Sequence, residues 1–265
     1  MNRSTYYKHY RSPVSERENQ NQILKSMILQ IYADTDKRLG AYKIQYVLLR
    51  DYGINISVGR VYRLMKSMVL PKLSTNKPKN SRYFTAQGEF DNHLNKQFNQ
   101  KAPNIVWVSD ITYIRVNSKF CYVCVIIDLF SRKVISCKAS SNPNADLVIE
   151  AFMSAYSSRK VNYGLMFHSD RGSQYTSFAF RKLLDDLNVV QSFSKKGHPY
   201  DNAVAESFFK YLKKEETNRR TYTSLSQLEL SLFEYIEGFY NSKRPHASLN
   251  YLTPNEKETL YIEGS

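Results

Sequence analysis

Ile105-Val106-Trp107-Val108-Ser109-Asp110-Ile111-Thr112-Tyr113-Ile114 is an apolar, β-branched and aromatic run with one carboxylate near its centre. Such residues fit a pleated, half-buried surface, so the run predicts a strand over Val106–Val116. Reading onward, strands are expected at Phe120–Asp128 and Lys133–Ala139, then a helix over Ala145–Ser157. A strand at Leu165–Ser169, a helix over Ser177–Leu187, a strand at Val189–Ser192 and a helix over Asn202–Thr217 complete the series. Three strands joined by tight turns, then strands alternating with helices, predict an α/β fold: a mixed five-stranded sheet flanked by helices.

That strand order resembles the ribonuclease-H-like arrangement, in which the first and fourth strands are neighbours. Asp110 lies on the first. Asp170 closes the fourth, in Leu165-Met166-Phe167-His168-Ser169-Asp170, ahead of Arg171-Gly172-Ser173. Thirty-five residues (171 to 205) separate it from Glu206, where Asp201-Asn202-Ala203-Val204-Ala205-Glu206 reads as the start of a helix. Carboxylates are hard oxygen donors suited to magnesium or manganese. Two such ions can clamp an in-line displacement at phosphorus, the chemistry of cutting and joining phosphodiester bonds. No Ser or Tyr nucleophile is needed.

Other acidic residues have plainer roles. Asp128, in Ile126-Ile127-Asp128-Leu129-Phe130-Ser131-Arg132, is expected to hold a turn or pair with Arg132. Asp185 and Asp186 read as solvated. Asp201 is expected to cap the Glu206 helix, with Asn202 as the alternative cap. Glu215 and Glu216, in a run of alternating charge, read as helix surface. His168 is expected to form local hydrogen bonds rather than act as a base. Cys121 and Cys124 sit three apart in a strand and so face opposite sides, which argues against a zinc site. Lys210 and Lys213 follow Glu206 at helical spacing and share its face, where they can reach a DNA phosphate or form salt bridges. Lys195-Lys196-Gly197-His198-Pro199-Tyr200 reads as a loop whose cations can touch DNA.

The chain has 265 residues and 42% hydrophobic content, enough for a packed core. It contains no apolar run of membrane-spanning length, its first residues lack a signal-peptide core, and it has three cysteines. A reduced, cytoplasmic, bacterial protein, associated with the nucleoid when on DNA, is expected. Net charge is +14. Residues 1–82 hold 16 Lys and Arg against 5 Asp and Glu, whereas residues 83–265 hold 22 against 19. The polyanion partner is therefore assigned first to the front third.

There, Asn19–Ala33 carries Ile23, Met27, Ile28 and Ile31 at helical spacing, and Ala41–Tyr52 carries Ile44, Val47 and Leu48. Gly53 stops the second helix and Ser57 caps a third, Val58–Met68. Val58, Val61, Tyr62, Met65 and Met68 or Val69 form its expected apolar stripe, with Arg60, Arg63 and Ser67 opposite and Lys66 at the border. This pattern fits a helix-turn-helix with a basic second helix. A plain three-helix cluster with a charged surface is the alternative. Residues 71–82, with two prolines and four basic residues, read as a linker. A short amphipathic piece is expected within 83–100. The expected organisation is 1–70 helix-turn-helix-like, 71–102 linker, 103–220 catalytic core, and 221–265 completing that core.

The residues also carry a resemblance. Arg38 to Lys43 with Arg60 to Met65, Pro103-Asn104 with Trp107 to Ile114, His168 to Tyr175, and Gly197 to Phe209 with Leu212-Lys213 resemble segments of insertion-sequence transposases of the IS-three family. Tyr240-Asn241, Arg244-Pro245-His246, Leu249 and Thr253-Pro254 resemble its C-terminal signature. The family is similar to retroviral integrases. The resemblance implies that Asp110, Asp170 and Glu206 are the catalytic and metal-binding triad, with two magnesium ions that manganese can replace. It implies cleavage at the element's 3′ ends and attack of the freed 3′-hydroxyl on another strand. The candidate DNA contacts, read from the basic helix faces and the cationic loop, are Lys43, Arg60, Arg63, Lys66, Lys195, Lys196, Lys210 and Lys213. The expected partners are double-stranded DNA, both terminal inverted repeats and target, and further copies of the chain on that DNA. Because Arg3-Ser4-Thr5-Tyr6-Tyr7 resembles a junction region, the chain is expected either to act as a fusion with an upstream-frame product or to be a separately made downstream product. The competing readings are a ribonuclease-H-like nuclease without strand transfer and a non-catalytic DNA-binding regulator; the latter would need a broken triad.

Overall fold

Gly53 sits in the left-handed region at φ 67°, which a residue without Cβ adopts without strain. In the computed structural model, which describes residues 15–70, 91–161, 164–195 and 199–264, this turn joins two of three front helices. They are α1 (Glu16–Asp34), α2 (Ala41–Tyr52) and α3 (Val58–Ser67). The Ser57 side chain accepts from the Arg60 amide at 3.2 Å and caps α3 as expected. Leu24, Ile28, Ile31, Ile44, Leu48, Val61 and Leu64 are buried together with Tyr32. Two details differ from the spacing-based reading. On α1 the buried stripe runs through Leu24, leaving Ile23 58% exposed; on α3 it runs through Leu64, leaving Tyr62 50% exposed. Several apolar residues on each helix allow two neighbouring stripes, and packing against the other helices selects one.

The chain falls into two compact units, Met1–Ser74 and Thr75–Ser265. The expected linker at 71–82 lies outside the described residues. Of the expected amphipathic piece, residues 91–100 are described, and they form turns and irregular backbone rather than a helix. Their amides find partners in the second unit: those of His93 and Leu94 donate to Ser192 Oγ at 3.0 and 3.1 Å.

The second unit is built on β1 (Val106–Val116), β2 (Lys119–Asp128), β3 (Val134–Ser140), β4 (Met166–Ser169) and β5 (Val190–Phe193), in the order β3-β2-β1-β4-β5. The first three are antiparallel neighbours, whereas β4 and β5 run parallel to β1. Strand side chains alternate between faces, and one face carries Trp107, Cys124, Ile126 and Phe167. Against them pack Val148, Phe152, Phe180 and Leu184 of α4 (Ala145–Ser158) and α5 (Phe178–Asp186). The alternate positions Val123, Val125 and Ile127 are fully buried as well.

Helix α6 (Ala203–Glu215), entered through a 3-10 turn at Pro199–Asn202, packs against β1. Helix α7 (Leu225–Tyr235) packs against β3 and runs on into a π turn, Ile236–Tyr240. Helix α8 (Pro254–Glu263) begins at a capping box made by Thr253 and Glu256. Its Glu258 accepts from both Arg159 Nη atoms at 2.8 and 3.1 Å and from Ser131 Oγ at 2.8 Å. No helix of the described residues is long and apolar enough to cross a membrane.

Candidate active site

Parallel pairing of β1 with β4 joins Val106 to Met166, Trp107 to Phe167 and Val108 to His168, a constant offset of sixty positions. The same offset sets Asp110 abreast of Asp170, just past the last paired residues. Both side chains are partly exposed. Asp110 Oδ1 accepts from the Ile111 amide and Asp170 Oδ1 from the Gly172 amide, each at 2.9 Å. A Cβ at Gly172 would lie 3.1 Å from Asp170 Oδ1 and 3.0 Å from Gln174 Oε1, tighter than ordinary contacts. A buried Tyr175 then locks the loop under β1, its hydroxyl 2.8 Å from Ser109 Oγ.

Glu206 comes from the first turn of α6 and is exposed. The start of its helix is anchored differently from the expected capping. Asn202 is the N-cap residue but makes no side-chain cap bond; its Nδ2 donates to the Ser109 carbonyl at 2.9 Å, next to Asp110. The Asn202 Oδ1 is buried without a hydrogen-bond partner. Asp201 is not a cap either. It is buried, and its Oδ2 accepts from Asn92 Nδ2 at 2.8 Å and the Lys195 amide at 2.9 Å.

Burial, then the Asp170 charge, push the Asp110 carboxyl up to about 8; Glu206 adds to the rise and Lys213 opposes it. Burial raises Asp170 and Glu206 as well. Among the described residues no three His, Cys, Asp or Glu side chains form a ready-made metal cage.

The remaining candidates divide clearly. Asp128 holds the turn: its carboxylate accepts from the amides of Asn104, Phe130 and Ser131, while Arg132 Nη1 donates to the carbonyls of Phe98 and Leu129. His168 is buried, with ring nitrogens 2.9 Å from Ser192 Oγ and 3.1 Å from Ser194 Oγ; burial lowers its pKa to about 4. Asp185 and Asp186 are exposed. On α6, Lys210 is exposed, whereas Lys213 is half-buried with its ammonium 5.0 Å from the Tyr113 ring centre. Lys195 is exposed, and Lys196 lies outside the described residues together with Gly197 and His198. In the front unit Arg63 and Lys66 are exposed and Lys43 is half-buried. Arg60 is also half-buried, its Nη2 donating to Asn21 Oδ1 at 3.0 Å, so it faces α1 rather than standing clear opposite the apolar stripe.

The surface reading of Glu215 and Glu216 is overturned, since both are buried. Glu215 takes a two-pronged contact from Arg244, Nε at 2.9 Å and Nη2 at 3.0 Å, and a 2.8 Å bond from the Tyr235 hydroxyl. Arg244 also stacks on Tyr211, 3.8 Å from the ring centre. Glu216 accepts from Ser231 Oγ at 2.6 Å and pairs with Arg220. Asn241 brackets the start of β3, exchanging bonds with the Val134 amide and carbonyl. The C-terminal motif is thus a clasp that holds the far end of the Glu206 helix. A local charge pattern gives no sign of it. The only sequence trace is the clustering of Tyr, Asn, Arg and His in the tail.

With this sheet behind an HTH-like front unit, the match to the integrase core domain makes the chain a DDE polynucleotidyl transferase. Models of the integrase core domain match residues 100–199 and 187–254, and a model of the HTH-like domain matches residues 18–79. The chain is 37% identical over 245 residues to the transposase for insertion sequence element IS904 of Lactococcus lactis subsp. lactis (strain IL1403), spanning 92% of this chain and 96% of the relative. It is 33% identical over 250 residues to transposase InsF for insertion sequence IS3A of Escherichia coli (strain K12), spanning 94% and 86%. The solved catalytic core domain of BIV integrase is similar over 61% of this chain and 97% of that one, at 19% identity and a TM-score of 0.45. The chain belongs to the IS-three family of insertion-sequence transposases.

Proposed function

We propose that Asp110, Asp170 and Glu206 are the catalytic carboxylates with which this transposase cuts the ends of its insertion element and joins each freed 3′-hydroxyl to another DNA strand. The observation that carries the reading is the sixty-position offset that sets Asp110 abreast of Asp170. The bond from Asn202, at the start of the Glu206 helix, to the carbonyl beside Asp110 supports the same reading.

The donor set fits magnesium. Burial raises both aspartate carboxyls, and at Asp110 the Asp170 and Glu206 charges add to the rise, so a bound cation would be favoured there. Magnesium sites in phosphoryl transfer use one or two carboxylates plus water and substrate phosphates, so an all-protein cage is not required. Two magnesium ions, or manganese in their place, would be held by the three acids. When bound they would make the attacking oxygen more nucleophilic and neutralise the departing one. In the joining step the 3′-oxygen bonds to the target phosphorus as the bond to the target's own 3′-oxygen breaks. The attacking hydroxyl gives up a proton and the departing oxygen takes one.

The chain's other residues position the DNA. Arg63 and Lys66 would contact it from the front unit, with Lys43 and Arg60 as flanking contacts. Lys195, Lys196, Lys210 and Lys213 would contact phosphates beside the carboxylates. In this reading residues 1–70 bind DNA, 71–102 link, 103–220 catalyse, and 221–265 complete the core. The partners would be terminal inverted repeats, target DNA, further copies that bring two ends together, and an upstream-frame product fused to the chain.

The test is transfer of a pre-cut, end-labelled oligonucleotide into plasmid in the presence of magnesium. The chain is expected to join the two. Asp110→Asn, Asp170→Asn and Glu206→Gln should each lower joining on the order of a thousand-fold or more while keeping the fold. Hydrolysis with no joined product would leave a nuclease, and undiminished joining by any of the three variants would remove that residue from the set.

A further inference from the structure

The end of the β1–β2 hairpin and the segment after α6 enclose a cavity of about 300 Å³ that no step above uses. Its lining mixes cations with rings: Tyr113, Arg115, Phe120, Lys213 and Arg220 all contribute. Phe120 is 50% exposed, a large apolar surface at a strand end. Its ring meets Tyr113 edge-on at 5.1 Å, and the Arg115 guanidinium lies 5.9 Å from its centre. Arg115 itself is exposed. The cavity is fixed from behind, because the Asn117 amide donates to the Tyr222 carbonyl at 2.8 Å and Asn117 Nδ2 to that of Thr223 at 2.7 Å. It also neighbours the Glu206 helix, since Lys213, which lines it, follows Glu206 by seven residues on the same face of α6.

We infer that this cavity binds an unpaired nucleotide of the DNA strand as it leaves the active site, with its base against Phe120 and its phosphate toward Arg115 and Lys213. Three observations point to that occupant. Aromatic faces beside cations are how proteins hold single-stranded nucleic acid without reading its sequence. A volume near 300 Å³ lies at the small end of ligand sites, the scale of one nucleotide rather than of a duplex. Arg115 and Lys213 complement a phosphate, while Arg220 is paired with Glu216. The inference rests on the proposed active site being where DNA ends react.

The experiment reads binding and not turnover, so that its failure is distinct from failure of the carboxylate assignment. The full chain is titrated with matched duplexes, one blunt and one ending in a short single-stranded extension that carries 2-aminopurine. The extended duplex is expected to bind about ten-fold tighter, with 2-aminopurine fluorescence quenched by stacking. Phe120→Ala should abolish both the preference and the quenching while blunt-end binding persists, and Phe120→Tyr should keep both. Arg115→Ala should weaken binding and lower the salt dependence by about one phosphate contact. Equal binding of the two duplexes, or a preference that survives Phe120→Ala, overturns the inference. So does a Phe120→Ala change confined to the chain's self-association, which would make the patch a contact between copies.

Discussion

The aspartates and the glutamate reach the active site by different means. Asp110 and Asp170 are set by a parallel register only three residue pairs long and by hydrogen bonds to amides one and two residues away. Glu206 rides on a helix held at one end by Asn202 and at the other by a buried ion pair to Arg244. The first half of the site is therefore local and stiff. The second is as stable as the tail that clasps it. The division suits a site that must admit DNA: two carboxylates form a fixed floor, and the third sits exposed on a separately supported helix.

The strongest way to break this comparison is to open the clasp. In Arg244→Ala, Glu215 keeps a buried charge and loses both prongs of its contact, so a destabilisation of about 3–5 kcal/mol is expected. Removing both charges together, in Arg244→Met with Glu215→Gln, should cost clearly less, because no unpaired charge stays buried. Denaturant unfolding of each variant measures both. If Arg244→Ala were as stable as the parent chain, the tail would not be what holds α6.

This division also marks how far the sequence could be read. Strand β1 came out at its observed limits because β-branched and aromatic residues persist along it, and α2 because its apolar spacing is bounded by Gly40 and Gly53. The neighbouring positions of Asp110 and Asp170 follow from the element order once it is matched to the ribonuclease-H-like arrangement, in which the first and fourth strands are adjacent. What stayed hidden depends on contacts between distant positions. Glu215 meets Tyr235 and Arg244 twenty and twenty-nine positions later, and nothing in Lys213-Lys214-Glu215-Glu216 distinguishes a buried acid from a solvated one. The capping expected of Asp201, or else of Asn202, fails for a related reason, although Asn202 does occupy the N-cap position. Asn at a helix start normally caps it, but here its amide serves a strand ninety-three positions earlier. The choice of Leu64 over Tyr62 in the front unit likewise follows from which side the other helices occupy.

A second, smaller effect sharpens the local half. Gly172→Ala adds a methyl within 3.1 Å of Asp170 Oδ1, and the carboxylate must give way by a few tenths of an ångström. The Gly172 backbone has no special dihedral that alanine would strain, so folding should be nearly unchanged. Joining should fall roughly ten- to a hundred-fold, as expected when a reacting group is displaced slightly. The strand-transfer assay and a melting curve, run side by side, check this. A loss of stability as large as the loss of activity would mean that the Asp170 loop is not separately fixed.

The smallest effect separates the partly buried Asp110 from the exposed Glu206. The Asp110 carboxyl has an ordinary pKa of 3.8 and stands near 8 in the folded chain, chiefly through burial and the neighbouring Asp170 charge. A raised acid binds its proton more tightly when folded. Its contribution to stability is therefore fully present below about 3.8 and is lost as pH rises through about 8. Without divalent cation, Asp110→Asn should melt close to the parent chain near the acid end of that window. It should melt progressively higher than the parent toward the alkaline end, by roughly a few degrees, and level off above it. Glu206→Gln should give a flatter profile over the same range, because Glu206 is exposed and water screens its charge. Adding magnesium should shrink the Asp110→Asn advantage, since a bound cation stabilises the ionised carboxylates only in the parent chain. A melting difference for Asp110→Asn that is constant with pH would show that Asp110 ionises normally, and the crowded-floor account of the two aspartates would fall with it.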